Sequence, residues 1–191
     1  MRDSGLAMMA YFYFDFKDVN KQTRHDLLTS VVMQLSAQSD RSCVILSTFY
    51  LKHDNGAKQP NEDELMQCLK EILSLPNQGS IYLIVDALDE CPNASGMPSP
   101  QEQVLSLLKE LVELYLPNLR LFVTSRPEID IRGTLEPLSS HRLSLHDQSG
   151  QNKDIIDYVT SVVYSHPNMR RWREEDKKLV IEMLSERVDG P

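Results

Sequence analysis

Two segments of the chain gather side chains that could do chemistry. The first is Ile81-Tyr82-Leu83-Ile84-Val85-Asp86-Ala87-Leu88-Asp89-Glu90. A run of apolar residues ends in an aspartate, and an Asp-Glu pair follows three and four positions later. If the run is a strand, three carboxylates gather near one strand tip. Carboxylates and water suit Mg²⁺, which binds through one or two carboxylates plus substrate phosphates. A neighbouring Asp or Glu can orient or deprotonate an attacking water. Asp86 is the candidate metal-associated residue, and Asp89 and Glu90 are the candidate catalytic acids. The competing reading is a strand that runs into a solvated acidic turn. A phosphotransfer site of the haloacid type would need D-x-D, and the spacing here argues against it.

The second segment is Leu119-Arg120-Leu121-Phe122-Val123-Thr124-Ser125-Arg126-Pro127-Glu128. A buried strand would deliver the hydroxyls of Thr124 and Ser125 and the guanidinium of Arg126 to one sheet edge. An arginine there can contact a terminal phosphate oxygen and report its presence. The competing reading is an ordinary salt bridge from Arg126 to Asp86 or Asp89.

The elements that must position these residues follow from periodicity. Ala10–Phe16 is aromatic and β-prone. Thr23 caps a helix whose inner stripe is Leu27, Leu28, Val31, Val32 and Leu35. Residues 37–60 are less regular. Asn61, with Glu64 three residues on, caps a second helix that buries Leu65, Leu69, Ile72 and Leu73. Ser80–Asp86 is apolar without alternation, which indicates a strand covered on both faces, as in a parallel sheet. Ser99-Pro100-Gln101-Glu102 is a capping box with proline at the first helical position. Its helix runs to about Tyr115 with Val104, Leu107, Leu108, Leu111 and Val112 inside. Leu119–Thr124 reads as another buried strand, and residues 141–146 alternate like a further one. Two helices complete the chain. One faces Ile155, Ile156, Val159, Val162 and Val163 inward, the other Leu179, Val180, Met183, Leu184 and Val188. Buried strands alternating with helices predict an α/β fold with a mainly parallel sheet. Ligands in such folds sit at the carboxyl ends of the strands.

Composition bounds the chemistry further. The 191 residues carry 20 basic and 28 acidic side chains, a net charge of −8. A nucleic-acid backbone binder needs a basic face. The one basic cluster, Arg170, Arg171 and Arg173, is followed at once by Glu174, Glu175 and Asp176, so no nucleic-acid partner is expected. Cys43, Cys68 and Cys91 show no metal-ligand spacing, and a sparse, odd cysteine count fits a reducing, cytoplasmic compartment. The apolar run Leu6–Phe14 is too short to span a bilayer, so no membrane partner is expected. Asp3 and Asp15 flank it where a signal peptide would place basic and small residues.

Glycine is scarce, with 7 in 191 residues against a usual share of roughly 7%. They are too far apart to form GxGxxG, GxxxxGK[ST] or GxSxG. The sequence therefore has no glycine-rich loop to bring backbone N–H groups against a phosphate.

The pair VDALDEC and LFVTSRPE, in this order, resembles the NACHT-type P-loop NTPase domains of the STAND class. Together with the opening AYFYFDFKD…QTRHDLLTSVVMQLS, it is most similar to the nephrocystin-3-like N-terminal domain of fungal NACHT proteins. The resemblance covers about residues 5–165. It implies that Asp86 is the Mg²⁺-associated Walker B aspartate and that Asp89 and Glu90 lie near the attacking water. Arg126, with Thr124 and Ser125, would be the nucleotide sensor. It implies a P-loop sheet of order 5-1-4-3-2, helices on both faces and a C-terminal helical appendage. Residues 1–148 would be a partial NTPase core, and 149–191 the start of a helical lid. The Walker A loop and strand 1 would lie before residue 1, so the chain is expected to be a fragment. Without strand 1, residues 141–146 should either pair beside 119–124 or leave an exposed edge there.

The resemblance also implies Mg²⁺ with ATP or GTP as cofactor, and homo-oligomer formation or protein partners in signal transduction. The missing loop weighs against tight binding by this chain. Charge-assisted hydrogen bonds contribute roughly 1.5–3 kcal/mol each, so losing a loop's set removes on the order of 6–12 kcal/mol. A micromolar ligand has about 8 kcal/mol in all. The chain alone is thus expected to bind nucleotide very weakly, with no cofactor held and no turnover. The competing functions are a non-catalytic interaction or assembly module on a degenerate NTPase fold, and a plain α/β domain with a structural acidic loop.

Overall fold

The computed structural model describes residues 7–93, 98–144 and 149–186. Its elements, in chain order, are β1 (Ala7–Tyr13), α1 (Arg24–Ser36), α2 (Asp40–Lys52), α3 (Glu62–Leu73), β2 (Ser80–Asp86), α4 (Pro100–Glu113), β3 (Leu119–Val123), α5 (Ile129–Leu135), α6 (Ser149–Ser165) and α7 (Glu174–Glu186). Three helix starts are fixed by reciprocal capping boxes: Thr23 with Asp26, Asn61 with Glu64, and Ser99 with Glu102. Each box satisfies two backbone donors that the first turn would otherwise leave orphaned.

The strands form a parallel sheet of order β1-β2-β3, flanked by helices. This is the α/β class that the element order predicts, and it matches the 4-3-2 stretch of the expected sheet. Tyr13 lies beside Asp86 and Val85 beside Val123, so the carboxyl ends of all three strands share one edge of the sheet. One sheet face supplies Ala10, Phe12, Ile81, Leu83 and Val85 to a single core, joined by Leu28 and Val31 of α1, Ile72 of α3 and Leu108 of α4. Each fully buried side chain of this size contributes about 1.5–3 kcal/mol. Burial on this face therefore fixes the register, because a one-residue slip would expose the whole set.

The other face is more open. Met9, Tyr11, Tyr13 and Phe122 are exposed, and Tyr82 and Ile84 are half-buried. The unbroken apolar run of β2 therefore does not mean equal cover on both faces. Nor is β3 a buried strand: Arg120 and Phe122 are exposed, and Leu119, Leu121 and Val123 are half-buried.

The two edges of the sheet differ. On β1, the N–H of Met9 donates to Gln38 Oε1 (3.0 Å), and Gln38 Nε2 donates to the Met9 carbonyl (2.7 Å). Gln34 does the same for Tyr11, at 3.1 and 2.7 Å. Gln34 in the last turn of α1 and Gln38 just beyond its end thus stand in for a neighbouring strand along this stretch of the edge. β3 ends the sheet on the other side.

Other expectations change in detail. β1 begins and ends three residues earlier than Ala10–Phe16. Residues 37–60, read as irregular, contain α2, capped by Ser39. Its apolar residues Val44, Tyr50 and Leu51 are exposed, so no clean inner stripe marks it in the sequence. Residues 141–144 form no strand, and 145–146 lie outside the described residues.

The chain divides into two compact units, Met1–Ser139 and Ser140–Pro191. In the second, α6 buries Val163 but leaves Ile156 exposed. The inward placement expected for Leu179, Met183 and Leu184 fails, since all three are exposed on α7. A unit with two described helices offers too little surface to cover a full apolar stripe. The side chain of Ile155, and Val188 as a whole, lie outside the described residues. Among the described residues no helix is long and apolar enough to cross a membrane.

Candidate functional site at the strand tips

β2 stops at Asp86 because Ala87 takes a left-handed conformation (φ 53°, ψ 46°) and turns the chain. Leu88 then drops fully into the core, and Leu88–Glu90 close a 3₁₀ turn. The left-handed residue has a local partner. The Ala87 N–H donates to Thr124 Oγ1 at 3.1 Å, and the Leu88 N–H donates to the Thr124 carbonyl at 3.1 Å. The Thr124 hydroxyl in turn donates to Asp86 Oδ1. Thr124 therefore locks the tip of β3 to the tip of β2. The Phe14 N–H reaches the Asp86 carbonyl at 3.0 Å and ties in β1.

The acidic trio fans out from this point. Asp86 is exposed at the strand end. Asp89 Oδ1 accepts the backbone N–H of Arg126 at 3.0 Å, and its Oδ2 lies 3.3 Å from Arg126 Nε. The Asp89 side chain is only 11% exposed, whereas that of Arg126 is 83% exposed. Glu90 Oε2 accepts the Phe16 N–H at 3.3 Å, in the connection from β1 to α1. Each carboxylate thus serves a different neighbour. The salt bridge to Asp89 is one of the two partners open to Arg126 from sequence. Ser125 stands exposed beside them, its hydroxyl donating to the Arg126 carbonyl at 2.8 Å. Among the described residues no group of three or more His, Cys, Asp or Glu side chains could hold a metal ion.

Sequence reasoning misses the supports of this edge. Gln22 Nε2 donates to the carbonyls of Asp15 (3.2 Å) and Phe16 (2.8 Å), which holds the loop that Glu90 grips. The Cys91 thiol, pushed up to about 12 by burial, donates to the Gln22 carbonyl at 3.3 Å. No spacing rule flags a glutamine bonded to the backbone of its own loop, or a thiol bonded to the backbone of a distant one. A groove of about 600 Å³ runs along β1 and α1 past Tyr11, Tyr13, Lys21, His25 and Gln34, and none of the strand-tip acids lines it.

The family model described as Nephrocystin 3, N-terminal matches residues 1–126. The chain belongs to this family. The matched span of this nephrocystin 3 N-terminal domain contains both loaded strand ends, from Asp86 to Arg126. No curated protein and no solved structure gives a match.

Proposed function

We propose that this chain carries the metal and sensor side of a NACHT-type, STAND-class nucleotide switch. The observation that carries the reading is the pairing of an exposed Asp86 with Thr124 across two adjacent parallel strand tips, where α/β folds bind ligands. Asp86 is the Walker B aspartate in this reading. One carboxylate with phosphate oxygens and water is a donor set that Mg²⁺ accepts. Asp86 would hold the ion together with the ATP or GTP phosphates, and the ion would neutralise phosphate charge. Asp89 and Glu90 are engaged with Arg126 and Phe16, so they set loop positions around the site before they act on any water.

Arg126 suits a sensor for a physical reason. Its backbone is anchored by Asp89, while its guanidinium, itself 83% exposed, reaches the largely covered Asp89 carboxylate through one ion pair. A phosphate oxygen would compete with Asp89 for a head group that stands mostly in water, while the backbone bond keeps the loop in place.

With no glycine-rich loop in the sequence, the isolated chain binds Mg-ATP and Mg-GTP very weakly and does not hydrolyse them. Calorimetric titration with each nucleotide tests this directly, and a micromolar dissociation constant would refute it. A second reading, a non-catalytic assembly module in cytoplasmic signalling, is favoured by the exposed apolar sheet face of Met9, Tyr11, Tyr13 and Phe122. Adding a phosphate-loop segment in trans or by fusion separates the two: the switch gains Asp86-dependent nucleotide affinity, and the module does not.

A further inference from the structure

We propose that His53 is a protonation latch for residues 53–60. While its ring is charged it fastens them as a strap beside the cavity between α1, α2 and α3, and the neutral ring releases them. The cavity holds about 190 Å³. Val32, Leu46, Phe49 and Leu65 line it from the three helices, and Gly56 and Pro60 line it from the strap.

His53 directly follows α2, and its side chain is only 13% exposed. Its ring rests on the Phe49 ring, with centroids 4.3 Å apart. Both ring nitrogens face acceptors: Nδ1 lies 2.8 Å from the Phe49 carbonyl and Nε2 3.4 Å from Glu64 Oε2. A neutral imidazole has one N–H, and an imidazolium has two. Only the charged ring can donate to both partners. In either neutral tautomer a nitrogen lone pair is turned on an oxygen, at a place where little water can intervene. Glu64 cannot turn aside to relieve this, because the same Oε2 accepts the Asn61 N–H at 2.8 Å and closes the capping box of α3.

The strap is built to need a fastening. Asp54, Asn55 and Gly56 all have positive φ, at 50°, 54° and 82°. L-residues enter that region against steric resistance, and two of the three carry a Cβ. A Cβ at Gly56 would stand 2.6 Å from the Tyr50 ring, so the strap lies directly against α2. The strap's own bonds converge on the latch residue: the N–H groups of Gly56 and Lys58 both donate to the His53 carbonyl, at 3.0 and 3.2 Å.

The charges around the ring act in one direction overall. Glu64 on α3 and Asp54 in the strap favour the imidazolium. Lys58, also in the strap, is paired with Asp54 at 2.8 Å. From α1 the cavity receives Thr29, Val32 and Met33, and from α2 Leu46, Phe49 and Tyr50, none of them charged. Glu64 stays a carboxylate throughout the histidine range, chiefly because the Asn61 N–H holds its pKa down. His53 keeps its proton above the ordinary range, first through the Phe49 carbonyl and then through Glu64 and Asp54. Closure is therefore complete below the ordinary histidine value and is lost as pH rises through the raised one.

Native-state hydrogen exchange of the 191-residue chain tests this. Rates are divided by their intrinsic values at about pH 5.5 and about pH 8.5, on either side of the ordinary value of 6.5. The Gly56 and Lys58 amides should be less protected than those in the middle of α1, and small additions of urea should barely change them, the mark of local opening. Their opening constants should rise with pH by the ratio of an unstructured histidine's acid constant to that of His53, read from the ring's own NMR titration. Glu64→Gln keeps an acceptor for the Asn61 N–H and should shrink the rise, and His53→Gln should abolish it. Strap amides whose protection ignores pH overturn the proposal, as do strap amides that open only with α1 and share its urea dependence. Both of these are read on the unaltered chain. A rise that persists in His53→Gln overturns it as well.

Discussion

Thr124→Val isolates the bond that joins the two loaded strand tips. Valine keeps the shape of threonine and removes the hydroxyl. Two hydrogen bonds go with it: the donation to Asp86 and the acceptance from the Ala87 N–H. A hydrogen bond to a charged group contributes about 1.5–3 kcal/mol and a neutral one about 0.5–1.5 kcal/mol. Thr124 and Asp86 are both exposed, so water replaces part of what is lost. The expected net destabilisation is about 1–2 kcal/mol. For a chain of this size each kcal/mol lowers the melting temperature by about 2–4 °C, so a fall of about 2–8 °C is expected. Thr124→Ser keeps the hydroxyl and serves as the control. Hydrogen exchange at the Ala87 amide gives a local reading, because that amide loses its acceptor only in the valine variant. If Thr124→Val melts with Thr124→Ser, and the Ala87 amide stays equally protected in both, then Thr124 does not lock the tips.

Three further outcomes follow from side chains around the first unit. The His53 pKa is raised, chiefly because its Nδ1 faces the Phe49 carbonyl (2.8 Å), and further by Glu64 at 3.4 Å from Nε2 and the charge of Asp54. A raised folded-state value means this contribution is complete below the ordinary histidine pKa and is lost as pH rises through the raised value. Urea midpoints should therefore fall across that window, and His53→Gln should flatten the fall. Cys43 is exposed, whereas burial lifts Cys68 to about 11 and Cys91 to about 12. A thiol reagent near neutral pH should label one cysteine in the folded chain and all three in denaturant. Arg126→Ala removes an ion pair that is exposed on its arginine side and keeps the backbone bond to Asp89, so stability should fall by about 1 kcal/mol. Asp89→Ala removes both the ion pair and the acceptor of the exposed Arg126 N–H, which should cost about 1–2 kcal/mol in a denaturant titration.

Much of the frame was legible because its signals are local. The three capping boxes and the inner stripes of α1, α3 and α4 each lie within one helix, and the structure has them where periodicity puts them. What was not legible depends on what lies across from an element. β2 carries an unbroken apolar run, yet only the side that meets α1, α3 and α4 is fully buried. α2 forms although its apolar residues lack a single covered side, so a pattern search passes over it. Residues 141–146 alternate like a strand, yet 141–144, the part among the described residues, form none.

The candidate site divides along the same line. Asp86 was placed at a strand tip by the hydrophobic run before it, and Thr124 by the run before it, and parallel pairing brings the two together. The roles of Asp89 and Glu90 could not follow from their spacing. Their directions are set by Ala87, whose left-handed turn sends Leu88 inward and the two acids to opposite sides. Nothing in the identity of an alanine announces a positive φ, which L-residues adopt only at a cost of about 1–2 kcal/mol. The hydrogen bond from Ala87 to Thr124 offsets that cost, and it exists only once β2 and β3 are paired. The geometry of the acidic trio is therefore a consequence of sheet assembly. The capture of Arg126 by Asp89 and of the Phe16 loop by Glu90 thus rests on the paired strands, the Thr124 lock and the Ala87 turn taken together.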